Sequence, residues 1–185
     1  VAAARAWWLL RRTGVDVRVL DGGLGAWTAA GFPVDTGEVT PPVGDVVLIP
    51  STEGELSIDE AAALPEHGVL LDVRAAVRYR GESEPIDPIA GHIPGAINLP
   101  AAGNIAADGT LNGLAALREA FAGVGVEPGT PVAAYCGSGV NAAHTALALA
   151  EIGIPAQLFS GSWSAWSNTP GRPVAVGEAP DDERA

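Results

Sequence analysis

Methionine is absent from the 185 residues, and cysteine occurs once, as Cys136. A single cysteine excludes an internal disulfide and a metal site built from cysteines alone. The three histidines are scattered, so metal-ligand spacing is also missing; the sequence predicts neither a metal nor another cofactor. A lone cysteine is typical of a reducing, cytoplasmic setting. Because the sequence begins at Val1 and lacks Met, we expect it to be a fragment of a longer chain.

Basic residues are scarce. Ten Lys and Arg stand against 22 Asp and Glu, which gives a formal net charge of −12. Nucleic-acid binding depends on basic patches, so this balance argues against such a partner. A small anion can still be held by a few local cations and backbone N–H groups. No apolar run approaches the roughly 20 residues of a membrane span, and Val1 opens no signal-peptide pattern, so no membrane partner is expected.

The sequence contains an internal repeat. Residues Ala3–Val34 resemble residues Ala142–Val174 in the order of their features: a helix, a Gly turn, a short apolar strand, a second Gly turn and a short helix with an inward Trp. Four pairs of residues coincide at an offset of 139 residues: Gly14 with Gly153, Leu20 with Phe159, Gly22 with Gly161 and Trp27 with Trp166. The second copy closes a complete domain, so the first copy indicates the end of an earlier, related domain.

This repeat sets the predicted domain organisation. Residues 1–36 are the C-terminal remnant of a first, non-catalytic domain, whose missing part is an expected partner in the parent protein. Residues 37–55 form a linker broken by Pro and Gly, with one possible short strand at Val46–Ile49. Residues 56–176 form the complete domain, and the acidic tail 177–185 is expected to be disordered.

Strands alternate with helices in the complete domain. The predicted strands are Val69–Asp72, Ala96–Leu99, Val132–Tyr135 and Ala156–Phe159, and the predicted helices are Ile58–Leu64, Ala75–Tyr79, Gly113–Ala122 and Ala142–Ile152. Such alternation predicts an α/β fold with a central, mostly parallel sheet flanked by helices. Sites in these sheets lie beyond the carboxyl ends of the strands. Cys136 directly follows one predicted strand, at such an end.

The loop after this strand carries the chemistry. Gly137 and Gly139 allow the backbone to curl, so that successive N–H groups point inward and form an anion cradle. The N-terminus of the following helix adds partial positive charge at the same place. These features favour the thiolate of Cys136, which is the nucleophilic form. Ser138 adds a hydroxyl donor. The sequence therefore predicts a nucleophilic cysteine beside an anion site, rather than an inert buried cysteine.

Two other loop chemistries lack their required residues. A phosphatase of the dual-specificity kind needs an Arg six residues after the Cys, and that position holds Ala142. A nucleotide-binding P-loop needs Gly-Lys-Ser/Thr at its end, which is absent here. Both interpretations are rejected.

A family resemblance accompanies these motifs. The sequence contains, in order, LLDVR, RYRGE, GHIPGAINLP, YCGSGVNAA and GSWSAW. This order resembles the C-terminal domain of tandem-domain rhodaneses over essentially all of Leu56–Val174, and the first repeat copy resembles the end of their N-terminal, non-catalytic domain. The resemblance implies a rhodanese-like fold with the active-site loop at the carboxyl end of a central strand.

The resemblance also implies an activity. It is that of a sulfurtransferase, in which Cys136 takes a sulfur from 3-mercaptopyruvate or thiosulfate as a persulfide and passes it to a thiol or to cyanide in a ping-pong sequence. The implied substrate-binding residues are Arg78, Gly137, Ser138, Gly139, Val140 and Asn141. The loop resembles the Cys-Gly-Ser-Gly of the mercaptopyruvate branch. Asp87 is a departure, because that branch often carries a second Arg there. The alternative function is a non-catalytic interaction module.

Other polar residues receive structural interpretations. Arg78 has a second interpretation besides donor binding, as an ion pair with Glu82 or Glu84. His92 is expected to serve a structural turn. Asp72 and Arg74, which flank the end of a strand, are expected to fix the following loop by hydrogen bonds. The helix Ala2–Leu10 is expected to bury Trp7 and Trp8 against the complete domain or a second chain. Trp163 is a candidate for the border of the site.

Overall fold

The computed structural model describes residues 1–49 and 51–180. Within these residues the strands are β1 (Val69–Asp72), β2 (Ile97–Asn98), β3 (Val132–Tyr135) and β4 (Gln157–Leu158). The α-helices are α1 (Ala2–Arg11), α2 (Gly23–Ala29), α3 (Ile58–Ala63), α4 (Ala76–Tyr79), α5 (Leu114–Ala122), α6 (Val140–Glu151) and α7 (Ser162–Ser167), with single 3₁₀ turns at Leu64–Glu66 and Ala101–Asn104.

The four strands found in the described residues form one parallel sheet in the order β2-β1-β3-β4. In register, Leu71 of β1 lies between Ile97 of β2 and Ala134 of β3. The predicted bounds of β1 and β3 are confirmed, since a short apolar run buried on both faces is the pattern of a central parallel strand. β2 and β4, at the two sides of the sheet, are shorter than predicted.

The helices cover both faces of the sheet. Leu71 and Ala134 pack against α5 and α6 on one face, while Leu70 and Ala133 pack on the other face against the layer that contains Trp163. Adjacent strand residues point to opposite faces, so one short strand serves both layers. The predicted α/β fold with a central parallel sheet and flanking helices is confirmed.

Local signals set the helix starts. Ser57 caps α3: its Oγ accepts the N–H of Glu60 at 3.2 Å, and the Glu60 carboxylate accepts the N–H of Ser57 at 2.7 Å. Helix α6 begins at Val140, earlier than predicted, because Gly139 takes a positive φ of 81° as its N-cap and its carbonyl accepts the N–H of Ala143. The start of α6 is therefore brought closer to Cys136.

The N-terminal segment packs on the complete domain. Helix α1 lies against α6, and Trp7 and Trp8 are buried in the same apolar cluster as the sheet. The prediction that this Trp pair is buried is confirmed within the chain itself. Arg12 ties the end of α1 to the following segment, through hydrogen bonds to the carbonyls of Ser51 and Glu53 and an ion pair with Glu55 at 2.9 Å.

The two repeat copies share geometry. Gly14 and Gly153 both end their helices with φ near 80°, at 80° and 84°. The indole Nε1 of Trp27 donates to the carbonyl of Pro33 at 2.8 Å, and Trp166 makes the same bond to Pro173 at 2.9 Å.

Three further expectations differ from the structure. Residues 17–20, the short strand of the first copy, and Val46–Ile49 form no strand, because neither segment lies beside another strand among the described residues. Residues 177–180, within the tail expected to be disordered, make backbone hydrogen bonds: the N–H of Gly177 to Arg80, and the N–H of Gly95 to the carbonyl of Pro180. The rest of that tail, 181–185, lies outside the described residues, as does Pro50 of the linker.

Candidate functional site

Cys136 lies at the carboxyl end of β3, where the chain turns into α6. Its side chain is buried, with 3% of the residue exposed. The backbone N–H of Gly139 points at the sulfur and donates to Sγ at 3.1 Å. Of the two glycines from which the curled loop was predicted, Gly139 takes a positive φ of 81° and its N–H contacts the sulfur. The cradle of several N–H groups stays a prediction.

The start of α7 holds this loop from the other side. The N–H of Cys136 donates to Ser162 Oγ at 3.2 Å, and the carbonyl of Cys136 accepts the N–H of Trp163 at 2.9 Å. The carbonyl of Gly137 accepts the N–H of Ser164 at 3.0 Å. Ser162, Trp163 and Ser164 thus fix the backbone of Cys136 and Gly137.

Ser162 adopts a left-handed backbone with φ of 55°, which it alone shows among the non-glycine residues described. Its Oγ donates to the carbonyl of Phe159 at 2.9 Å while it accepts the N–H of Cys136. Residues in such sparsely populated conformations cluster at functional sites. Sequence reasoning missed Ser162 and Ser164. The GSWSAW motif that holds them was the available signal, but only Trp163 was considered from it.

A cavity of about 160 Å³ opens at the loop. Its lining is formed by Arg78, Ile86, Cys136, Gly137, Ser138, Val140, Asn141 and Ser164. Six of the seven predicted site residues line this cavity, and Gly139 lies behind it with its N–H on the sulfur. Drug-sized ligands occupy roughly 300–1,000 Å³, so this space suits a molecule of only a few heavy atoms.

Arg78 supplies the cation that lines the cavity, and a Cβ placed on Gly137 would lie 3.6 Å from its Nη1. Its guanidinium is also engaged elsewhere. It donates to Glu84 from Nε at 3.0 Å and from Nη2 at 2.5 Å, and Nη2 lies 3.4 Å from Asp87. The ion-pair interpretation is therefore realised with Glu84, while Glu82 pairs with Arg80 instead.

A network of buried ion pairs connects Arg78 with Arg74. Arg74 binds Asp72 and lies 3.3 Å from Glu84, which in turn binds Arg78. Burial raises the pKa of Glu84, but hydrogen bonds from Arg78 and from two backbone N–H groups outweigh it, so the pKa lies below its usual value. Burial lowers the pKa of Arg74, yet the Asp72 carboxylate outweighs burial and the net shift is upward. Both shifts favour the charged forms of Glu84 and Arg74.

Asp72 and Arg74 have the structural role that was predicted. Asp72 accepts the backbone N–H of Arg74 at 2.9 Å, and the Arg74 guanidinium donates to the carbonyl of Gly91. Burial and the nearby Asp72 carboxylate raise the pKa of Tyr135 well above its usual range, so its hydroxyl stays protonated. That hydroxyl accepts the N–H of Ile93 at 3.1 Å.

His92 is a fully buried residue of the turn rather than a member of the site. Its Nδ1 lies 2.8 Å from the carbonyl of Tyr79, and its ring stacks on the Tyr79 ring with centroids 3.6 Å apart. Its backbone N–H donates to Ala175. His67 and His144 also lie away from the cavity at Cys136.

Within the part of the chain that the structure describes, no group of three His, Cys, Asp or Glu side chains could hold a metal ion. Over the same residues, none of the helices has both the length and the apolar character that crossing a membrane requires.

The fold and the site define a class of protein: a parallel α/β domain that presents one cysteine in a glycine-rich loop beside a small cavity. The sequence model of the Rhodanese-like domain family matches residues 57–169. The chain therefore belongs to the rhodanese-like family, as its motifs predicted. This match falls within the complete domain predicted at 56–176.

Curated relatives extend the match to the N-terminal segment. The chain is 48% identical over 181 residues to a putative thiosulfate sulfurtransferase of Mycobacterium tuberculosis, which covers 96% of this chain and 64% of the relative. It is 46% identical over 184 residues to a probable 3-mercaptopyruvate sulfurtransferase of Pseudomonas aeruginosa, covering 95% and 64%. The chain thus spans about 64% of the length of these relatives.

Solved structures give the same assignment of fold. An anaerobic ergothioneine biosynthesis enzyme from Chlorobium limicola aligns with a TM-score of 0.88 at 29% sequence identity, over 95% of this chain and 45% of that one. A structure titled EanB in complex with ergothioneine covalently linked to a persulfide at its own cysteine aligns with a TM-score of 0.85 over the same shares.

Proposed function

We propose that this protein is a sulfurtransferase that carries the transferred sulfur as a persulfide on Cys136. The observation that carries the proposal is the contact between Sγ and the N–H of Gly139, at 3.1 Å, in a loop that lines a small cavity together with Arg78. A donor held in this cavity lies beside both the nucleophile and a cation. The names of the relatives support the same reaction class.

The first half-reaction loads the sulfur. The Cys136 thiolate attacks the terminal sulfur of the donor, an S–S bond forms, and the bond from that sulfur to the rest of the donor breaks. With thiosulfate, sulfite leaves with the electron pair. With 3-mercaptopyruvate, the enolate of pyruvate leaves and takes up the thiol proton. Arg78 orients the anionic end of the donor, and the N–H of Gly139 stabilises the charge on sulfur.

The second half-reaction unloads the sulfur. A thiolate or cyanide attacks the outer sulfur of the persulfide, a new bond to sulfur forms, and the S–S bond to Cys136 breaks, with the electron pair returning to Sγ. The N–H of Gly139 faces Sγ of the free cysteine, and we propose that it also stabilises the charge of the persulfide. Since one anionic sulfur replaces another, a single preformed loop serves both halves of a ping-pong sequence.

The charge of the residues around the cavity indicates which of the two donors is preferred. Residues 137–139 form a neutral Gly-Ser-Gly turn, so Arg78 is the cation available to an anionic donor among the residues that line the cavity. A monoanion such as 3-mercaptopyruvate suits one cation better than the thiosulfate dianion does. We therefore propose 3-mercaptopyruvate as the preferred donor of the two.

The domain organisation belongs to the same proposal. Residues 1–36 are the end of a preceding related domain, 37–55 a linker and 56–176 the catalytic domain. The matched Trp-to-Pro hydrogen bonds of the two repeat copies and the 64% coverage of the longer relatives support this division. The single free cysteine also supports a reducing, cytoplasmic location.

The test uses the fact that Cys136 is the only cysteine. The protein is incubated with 3-mercaptopyruvate or thiosulfate, and its intact mass is measured before and after cyanide is added. We expect a gain of one sulfur atom, greater with 3-mercaptopyruvate, that cyanide removes as thiocyanate.

Cys136→Ser is the control, and it should gain no sulfur and form no thiocyanate. A protein that folds, but gains no sulfur from either donor and produces no thiocyanate, would contradict the proposal and favour the alternative of a non-catalytic interaction module.

A further inference from the structure

Arg5 lies on α1, in the N-terminal segment, yet its guanidinium reaches the loop of Cys136. A Cβ placed on Gly139 would lie only 3.0 Å from Arg5 Nη1. That nitrogen is buried and has no hydrogen-bond partner among the residues that the structure describes. Arg5 does not line the cavity at Cys136; it approaches Gly139 from behind.

Gly139 links Arg5 to the reacting atom. Its N–H donates to Cys136 Sγ at 3.1 Å, while the position of its missing side chain faces Arg5. A fixed positive charge behind this residue therefore acts on the same point as the N–H group in front of it. Both favour negative charge on the sulfur.

The charge of Arg5 acts on one carboxylate at longer range: the pKa of Glu55 is lowered by hydrogen bonds from Ser160 and Arg12 and also by the charge of Arg5. Its guanidinium lies over the ring of Trp8, 4.9 Å from the centroid, and Arg12 lies over the same ring at 4.2 Å. Arg12 binds Glu55, whose other oxygen accepts the hydroxyl of Ser160. In residues 1–49 and 51–180, Arg5 itself makes no ion pair.

A buried guanidinium nitrogen without a hydrogen-bond partner is costly, and within the described residues Nη1 of Arg5 is such an atom. A thiolate or persulfide on Cys136 places an anion at the N–H of Gly139, the residue that Arg5 approaches. We infer that Arg5 is a positioning residue for Cys136, which is contributed by the N-terminal segment and which stabilises the anionic sulfur through Gly139. This inference rests on the proposed function for its persulfide half, while its thiolate half stands on the loop geometry alone.

The test measures, across a range of pH, the rate at which iodoacetamide alkylates Cys136. It compares the unsubstituted chain (the parent) with the variants Arg5→Gln and Arg5→Lys. A nearby positive charge favours the thiolate, and Arg5 acts from behind Gly139 rather than by direct contact with the sulfur, so we expect Arg5→Gln to slow alkylation about three- to tenfold at neutral pH. At alkaline pH the rates should coincide. Arg5→Lys, which keeps the charge, should stay close to the parent.

Arg11→Gln is the matched control. It removes the same charge from the same helix, where Arg11 lies over Trp7 rather than near the loop, and it should leave the profile unchanged. Should Arg5→Gln fail to fold by circular dichroism, Arg5→Met keeps an unbranched stem against Trp8 and replaces it.

Two results would overturn the inference. One is a folded Arg5→Gln or Arg5→Met variant whose alkylation rate depends on pH as it does in the unsubstituted chain. The other is a loss of rate that is equal at every pH or is shared by Arg5→Lys, since either would mark a purely structural role. Because alkylation needs no sulfur donor, these results are distinct from a failure of the proposed sulfur transfer, which the mass measurement reports.

Discussion

Arg78 and Glu84 form a bidentate ion pair, with Nε of Arg78 3.0 Å from one carboxylate oxygen and Nη2 2.5 Å from the other. Glu84 is buried, and Nη2 also lies 3.4 Å from Asp87. Arg78, which lines the cavity, therefore already interacts with two carboxylates when no donor is bound. A donor carboxylate must compete for it, and Asp87, the more distant of the two, is where that competition can be altered with least damage.

Asp87→Asn should strengthen the binding of an anionic donor. The change removes one negative charge beside Arg78 and keeps the shape of the side chain. The side chains of Arg78 and Asp87 are largely buried, at 17% and 5% exposure, but their nearest nitrogen and oxygen atoms are 3.4 Å apart, so this pair is looser than the pair with Glu84. We expect KM for 3-mercaptopyruvate to fall about two- to fivefold with kcat nearly unchanged, the pattern of a change in ground-state binding. Steady-state thiocyanate formation measures both constants.

Glu82→Gln is the control for Asp87→Asn. Glu82 is exposed and pairs with Arg80 rather than with Arg78, so its loss lowers the local negative charge without freeing the cation at the cavity. If both variants lower KM equally, the effect belongs to overall charge and Arg78 is not the donor-binding residue.

Gly139→Ala should damage both the loop and its chemistry. A Cβ at this position would lie 2.7 Å from the carbonyl oxygen of Ser160 and 3.0 Å from Arg5 Nη1, and φ is 81°. The left-handed backbone alone costs a non-glycine residue about 1–2 kcal/mol, and the collisions add to this. We expect urea unfolding to show a larger loss of stability and alkylation of Cys136 to slow.

Gly153→Ala separates the two contributions. Gly153 has a φ of 84°, but no atom lies within 4 Å of an added Cβ, so this variant carries the backbone cost without the collisions. It should lose about 1–2 kcal/mol of stability and keep the alkylation rate of the parent. Equal losses of stability in Gly139→Ala and Gly153→Ala would show that the loop of Cys136 rearranges to accommodate the added methyl group.

Ser162→Ala tests how the start of α7 holds the nucleophile. The substitution removes the oxygen that accepts the buried N–H of Cys136 at 3.2 Å. An unsatisfied buried donor costs about 1–3 kcal/mol, so we expect a loss of stability of that size in urea unfolding and a slower reaction of Cys136. Ser164→Ala is the control, because Ser164 contacts the loop through its backbone N–H, and it should change stability by less than about 0.5 kcal/mol.

Much of this site could be predicted from the sequence because its residues are local. Cys136 and residues 137–141 follow a buried strand whose apolar run sets its bounds, and a strand followed by a glycine-rich turn and a helix places a cysteine at the sheet edge. Arg78 was predicted only through a family resemblance, and the structure brings it to the same cavity.

The remaining residues could not be predicted because they depend on contacts between distant segments. Ser162 meets Cys136 across 26 residues of sequence, and Arg5 reaches Gly139 only because α1 packs along α6. The strand expected at residues 17–20 fails for the same kind of reason. An apolar run predicts a strand, but only a neighbouring strand supplies the hydrogen bonds that form one.

His144 should make the stability of the chain depend on pH. It lies on α6, 7% exposed, and its Nδ1 has no hydrogen-bond partner among the described residues. Burial lowers its pKa. The folded state therefore holds fewer protons than the unfolded state as pH falls below about 6.5, so the free energy of unfolding should decrease from about pH 7 to pH 5. Urea unfolding should show a shallower decrease in His144→Gln, whereas His67→Gln, at an exposed position, should keep the parent slope. An unchanged slope in His144→Gln would assign the pH dependence to other groups.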